Sequence, residues 1–143
     1  MFGVDPEHPT DPGGLDAETV AFAHRMFDLA RDGHSEELAA YVDAGVPVNL
    51  TNDKGDTLLM LAAYHGHPDT VAALLARGAD PARENERGQT ALTAAVFKQS
   101  REAVTALLDA GADPHQGNQS AIATATFFEL PAMLELLQRG RGT

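Results

Sequence analysis

Histidine and carboxylate side chains are the groups in this sequence whose types could support metal binding or acid–base chemistry. His65 and His67 are the only two histidines with a spacing that resembles a metal-binding pair. Residues two positions apart on a helix point to different faces, and Gly66 interrupts the pair with a turn. We therefore assign both histidines to a structural role and expect no metal site. The remaining histidines are scattered along the chain.

Other catalytic patterns are absent from the sequence. It contains no cysteine, no glycine-rich phosphate-binding motif and no GxSxG segment, so thiolate, nucleotide and serine-nucleophile chemistry have no support. The 21 aspartates and glutamates fall mostly in expected turns and on helix exteriors, where carboxylates are ordinarily solvated. We expect a protein that is not an enzyme and that carries no cofactor.

The charge balance bears on the class of partner. Ten lysines and arginines against 21 acidic residues give a net charge of −11, which disfavours binding to a nucleic-acid backbone and favours a partner protein with a basic patch. No apolar run approaches the ~20 residues of a membrane span, and the N-terminus does not resemble a secretory signal. These features predict a monomeric, cytoplasmic protein.

The elements that position these side chains follow a period of 33 residues. Gly45, Gly78 and Gly111 are spaced by this interval, as are Thr57 and Thr90. Apolar trios with the spacing of one helical face repeat in step, at Leu38, Tyr41 and Val42, at Val71, Leu74 and Leu75, at Val104, Leu107 and Leu108, and, after a shorter step, at Met133, Leu136 and Leu137. A shorter helix precedes each trio. The period therefore predicts stacked helix pairs.

Glycine and hydroxyl residues mark the ends of these helices. Gly78 and Gly111 follow a helix, where a residue with positive φ ends the last turn. Thr57, Thr90 and Ser120 stand where a side-chain oxygen is expected to cap the next helix.

With these features in place, the segments NDKGDTLLMLAAYHGHPDTVAALLARGADPARE and NERGQTALTAAVFKQSREAVTALLDAGADPH resemble ankyrin repeats. The resemblance implies an all-α solenoid of about four helix-turn-helix repeats with short hairpin or loop fingers. We expect a flexible tail over residues 1–14 and a single repeat domain over 15–143, with repeats near 19–51, 52–84, 85–117 and 118–143. The excess of arginine over lysine indicates a small bacterial member of the family.

The sequence departs from the family pattern in two respects. The signature TPLH reads TLLM at 57–60, TALT at 90–93 and SAIA at 120–123, so the hydrogen bonds that its histidine makes between repeats are lost, and we expect lower stability than in a consensus array. The last repeat is three residues short before Ser120, and we expect it to be one residue short between its helices.

The resemblance also implies where a partner would bind. The last position of the first helix faces the concave groove in the family, and here it holds Tyr64, Phe97 and Phe127, with His65, Lys98 and Phe128 beside them. Aromatic residues next to charged ones are typical of protein interfaces. The alternative is that these rings pack between neighbouring helices.

The finger tips complete the predicted partner-binding set with Asp53, Lys54, Asp56, Glu86, Arg87 and Gln89. We expect a protein–protein interaction module that binds a partner through the concave face and these tips. Two other functions remain open: a regulatory or inhibitory factor that covers a specific enzyme, and a protein that binds a small ligand or a metal.

Overall fold

Eight α-helices make up the regular structure of residues 17–141, which are the residues that the computed structural model describes. They are α1 (Ala17–Asp32), α2 (Ser35–Asp43), α3 (Leu58–Tyr64), α4 (Pro68–Leu75), α5 (Ala91–Lys98), α6 (Arg101–Asp109), α7 (Ala121–Phe127) and α8 (Pro131–Arg141). Within this range there is no strand, only an isolated bridge between Thr51 and Thr57. The all-α prediction is confirmed, while the predicted tail over residues 1–14 lies outside the described residues.

The predicted hydroxyl caps begin three of the inner helices. The side-chain oxygen of Thr57 accepts a hydrogen bond from the backbone N–H of Met60 at 3.1 Å, and Thr90 and Ser120 cap α5 and α7 in the same way. Each cap satisfies a backbone donor that the first turn leaves without a helical partner. The sequence prediction of these three helix starts is confirmed.

The helices stack in two rows. The first helices of the pairs contact one another in the order α1, α3, α5 and α7, and the second helices follow in the order α2, α4, α6 and α8. The core lies between the rows. Every trio contributes buried residues to it, with Tyr41, Val42, Leu75 and Leu108 half-buried at its margin. A short helix is marginal alone, so this shared apolar face holds the stack together.

The last helix pair differs from the expectation in one detail. A residue with positive φ stands nine positions after the cap in each of the last three pairs, at Gly66, Gln99 and Glu129. The turn between α7 and α8 is therefore not shortened, and that expectation is wrong. The one-residue offset lies inside α8, which buries its third residue, Met133, whereas α4 and α6 bury their fourth residues, Val71 and Val104.

Other side chains form the hydrogen bonds between repeats. His67 Nε2 lies 2.7 Å from the carbonyl oxygen of Arg31, and the hydroxyl of Thr93 donates to the carbonyl oxygen of Gln119 at 2.8 Å. The hydroxyls of Ser35 and Thr70 lie 2.6 Å apart. Each contact links adjacent repeats, so polar connections between repeats persist without the histidine of the family signature. The lower stability expected of this chain stays a prediction.

Candidate functional site

Two finger loops form one wall of the candidate site, and equivalent asparagines shape them. The side-chain oxygen of Asn52 accepts hydrogen bonds from the backbone N–H groups of Lys54 and Asp56 at 2.9 and 3.0 Å. Asn85, 33 residues later, accepts from Arg87 and Gln89 at the same distances, 2.9 and 3.0 Å. An asparagine that bonds to its own following backbone fixes a turn. The two loops therefore present Lys54 and Arg87 at equivalent positions.

Further hydrogen bonds join each finger loop to the next. The backbone N–H of Glu86 donates to the carbonyl oxygen of Lys54, and that of Gln119 donates to the carbonyl oxygen of Gly88, each at 3.1 Å. The Asn85 amide donates to Asp56 at 2.8 Å and to Gln89 at 2.9 Å. Of the predicted finger-tip residues, Asp56 and Gln89 thus hold the loops together. Asp53, Lys54, Glu86 and Arg87 are exposed.

Aromatic rings at the helix ends form the opposite wall. The rings of Tyr64 and Phe97 are stacked, with centroids 5.6 Å apart, and the ring of Phe128 meets Phe97 edge to face, also at 5.6 Å. Tyr64 is 48%, Phe97 45% and Phe128 50% exposed. The rings contact one another and are not buried in the stack. The sequence left open whether they would be exposed or packed between helices, and they are half-exposed.

The ring that continues this row is not the one predicted. Phe127 holds the position in α7 that Tyr64 holds in α3 and Phe97 in α5, yet the neighbour of Phe97 is Phe128, the capping residue of α7. Phe127 is 77% exposed and contacts the edge of Phe128. Sequence register places both residues at the end of the same helix but does not decide which ring turns toward the neighbouring repeat.

An open groove of about 530 Å³ separates the loop wall from the aromatic wall. Eight of the predicted site residues line it, namely Lys54, Asp56, Tyr64, His65, Arg87, Gln89, Phe97 and Phe128. Asp53, Glu86, Lys98 and Phe127 do not. The groove also includes residues that the sequence analysis did not select, among them Asn52, Asn85, Thr93 and Gln119. The 33-residue spacing of the two asparagines was the available signal for them.

His65 lies at the end of the groove between several charged groups. Partial burial lowers the pKa of His65 below its ordinary value of 6.5, and the nearby positive charges of Arg31, His67 and Lys98 lower it further, while Asp32 opposes them. The Lys98 stem extends over Gly66, where an added Cβ would lie 3.1 Å from Lys98 Cε. Lys98 therefore stands beside His65, outside the lining of the groove.

The two histidines with metal-like spacing have separate environments. His65 lines the groove, whereas His67 bonds to the carbonyl oxygen of Arg31. Its ring also packs against Gly33, where a Cβ would lie 2.5 Å from His67 Nδ1. Among residues 17–141, no group of three or more histidines or carboxylates has the geometry to hold a metal ion. In the same range no helix combines the length and apolar character needed to cross a bilayer.

Comparisons with known proteins agree with this architecture. A family model described as "Ankyrin repeats (3 copies)" matches residues 26–118. A curated relative, "Putative ankyrin repeat protein PA3287" of Pseudomonas aeruginosa, is 57% identical over 51 residues. That match covers 36% of this chain and 30% of the relative, so the chain spans less than a third of the length of that protein. The bacterial source of the relative agrees with the expectation from arginine usage.

Proposed function

Since the chain belongs to the ankyrin-repeat family, whose members are generally protein–protein interaction modules, we propose that it binds a partner protein in the groove between the finger loops and the aromatic row. The aromatic row is defined here as Tyr64, Phe97 and Phe128. The observation that carries the proposal is the mutual contact of these three half-exposed rings along a groove of about 530 Å³.

The arrangement of the rings supports this use. Large aromatic side chains supply much of the binding energy at protein interfaces when they sit in a patch that a partner can dehydrate. Contacts among Tyr64, Phe97 and Phe128 restrict their rotation before binding, which lowers the conformational entropy lost when a partner orders them. The linked finger loops hold the opposite wall in place through backbone hydrogen bonds. The groove is therefore largely formed in the free protein.

The test is affinity purification from the native organism followed by quantitative mass spectrometry, with the wild-type chain and a Tyr64→Ala/Phe97→Ala variant as baits. We expect a partner that the double variant retains poorly. With that partner purified, the double variant should bind with an affinity loss of ~2 kcal/mol or more, roughly 30-fold.

The matched control is Phe22→Ala. Phe22 is an exposed aromatic residue on α1 that packs against Tyr41 and does not line the groove, so its removal should leave binding unchanged. A double variant that keeps the wild-type melting temperature and still captures its partners at wild-type level contradicts the proposal. We further expect the free chain to be a monomer and to reside in the cytoplasm; light scattering and cell fractionation test these two expectations.

A further inference from the structure

The groove has the opposite charge character to the chain as a whole. The net charge of the sequence is −11. The groove lining nevertheless contains three cationic side chains, Arg31, Lys54 and Arg87, against a single carboxylate, that of Asp56. The positive groups are thus concentrated beside the aromatic row of an otherwise acidic protein.

Hydrogen bonds and ion pairs leave two of these cations available. Arg31 pairs with Asp28 on its own helix at 2.8 Å, and the Asp56 carboxylate accepts a hydrogen bond from the Asn85 amide. Within residues 17–141, neither Lys54 nor Arg87 has a carboxylate at ion-pairing distance. Both side chains are exposed and line the groove.

The finger loops separate opposite charges that are adjacent in sequence. Asp53 precedes Lys54 and Glu86 precedes Arg87, yet only the basic member of each pair lines the groove. Because Asn52 and Asn85 fix both loops in the same turn, the separation is repeated in two successive repeats. The pattern is therefore a property of the loop conformation rather than of one side-chain rotamer.

We propose that the groove binds an acidic segment of the partner that also carries large apolar side chains, with carboxylates against Lys54 and Arg87 and apolar groups against the aromatic row. This inference rests on the proposed function and specifies the chemistry of its partner. It differs from the expectation of a basic partner that the net charge alone suggests.

The local charges decide the sign of the interaction because salt screens the distant ones. The Debye length at physiological ionic strength is about 8 Å, so a ligand in the groove interacts mainly with the residues that line it. The acidic surface beyond the groove favours a short acidic segment over a long polyanion. Aromatic rings beside cations also suit single-stranded nucleic acid, but its phosphates would continue past the two available cations onto that acidic surface.

The experiment is selection of short random peptides displayed on phage against the immobilised full chain, with sequencing of the enriched pool. We expect enriched peptides of net negative charge that contain aromatic residues or leucine. Synthetic copies should bind with an affinity that falls on the order of tenfold in a Lys54→Glu/Arg87→Glu variant, and that falls as salt is raised. Fluorescence anisotropy measures both effects.

The matched control is Arg83→Glu/Arg101→Glu, which makes the same change in net charge at two exposed residues outside the groove. It should leave peptide affinity close to the wild-type value. An equal loss in this control would show a nonspecific effect of net charge and would overturn the inference.

Other outcomes separate the inference from the proposed function. Basic or neutral peptides that still require Tyr64 and Phe97 would overturn the inference and leave the proposed function standing. Failure to enrich peptides, or enrichment unaffected by Tyr64→Ala/Phe97→Ala, would count against both. A mixed-sequence single-stranded DNA oligonucleotide that displaces the acidic peptides and binds in a ring-dependent manner would overturn the choice of a peptide ligand.

Discussion

The ring of Tyr64 lies parallel to the ring of Phe97, with centroids 5.6 Å apart and planes inclined by 8°. The two residues are one 33-residue period apart in sequence, so the stack follows from placing the same helix position in adjacent repeats. Stacked and edge-to-face ring pairs add about 0.5–1.5 kcal/mol beyond their buried area. The rings therefore hold one another in the orientation in which a partner meets them.

The aromatic row predicts different roles for two adjacent phenylalanines. Phe128→Ala should weaken partner binding by ~1 kcal/mol or more because it removes a ring that lines the groove. Phe127→Ala should have a smaller effect, since Phe127 is outside the lining although it is the more exposed residue. Calorimetry on both variants makes the comparison, and a larger loss for Phe127→Ala would show that the partner follows helix register instead.

The stacking scheme predicts a graded loss of stability along α4. Leu74 is 1% exposed, and Leu74→Ala should cost ~2–5 kcal/mol in the free energy of unfolding because it leaves a cavity between the two rows of helices. Leu75 is half-buried at the margin of the core, so Leu75→Ala should cost less. Denaturant titration measures both. Equal costs would be inconsistent with the position of the core described here.

The turn between α5 and α6 offers a stabilising substitution. Gln99 has φ of 58° at the position where Gly66 stands one repeat earlier. A left-handed conformation costs a residue with a Cβ ~1–2 kcal/mol, whereas glycine adopts it without that penalty but loses ~0.5–1 kcal/mol more chain entropy on folding. Gln99→Gly should therefore raise the free energy of unfolding by up to ~1 kcal/mol. Gln99→Ala, which keeps the Cβ, is the control and should bring no such gain.

The lowered pKa of His65 predicts a pH dependence of stability. Since the folded state holds this pKa below 6.5, the unfolded chain takes up the proton first as the pH falls. The His65 contribution to stability is therefore fully present above pH 6.5 and is lost as the pH drops from 6.5 toward the lowered value. His65→Gln should remove this part of the pH dependence in urea titrations.

An NMR titration tests the electrostatic cause of that shift. Arg31→Gln removes one of the positive charges near His65, so the pKa of His65 should rise toward its ordinary value, although burial still lowers it. Arg101→Gln, a change outside the groove, should leave it in place. An unchanged pKa in Arg31→Gln would assign the shift to burial and the remaining charges.

Local chemistry made the helices and their caps predictable from the sequence. Thr57, Thr90 and Ser120 cap helices because a hydroxyl before an apolar run satisfies backbone donors of the first turn. The apolar trios locate the core because helical spacing puts their members on one face. These features depend on residues within a few positions of one another, and the 33-residue period confirms them by repetition.

The lining of the groove was less predictable because it depends on contacts across repeats. Asp53 and Lys54 are adjacent and equally plausible as partner contacts in the sequence, and the turn fixed by Asn52 is what places only Lys54 in the lining. The choice of Phe128 over Phe127 likewise depends on where the ring of Phe97 lies in the preceding repeat.

The 33-residue step has a consequence for how such a chain can change through gene duplication. In a stacked array each repeat contacts only its neighbours, and residues 52–84 carry Asn52, Lys54 and Tyr64 together. An in-frame duplication of this segment would therefore add a shaped loop, a cation and a ring in one event. The binding surface would lengthen by a complete unit, with its existing contacts intact, and would acquire a longer recognition sequence.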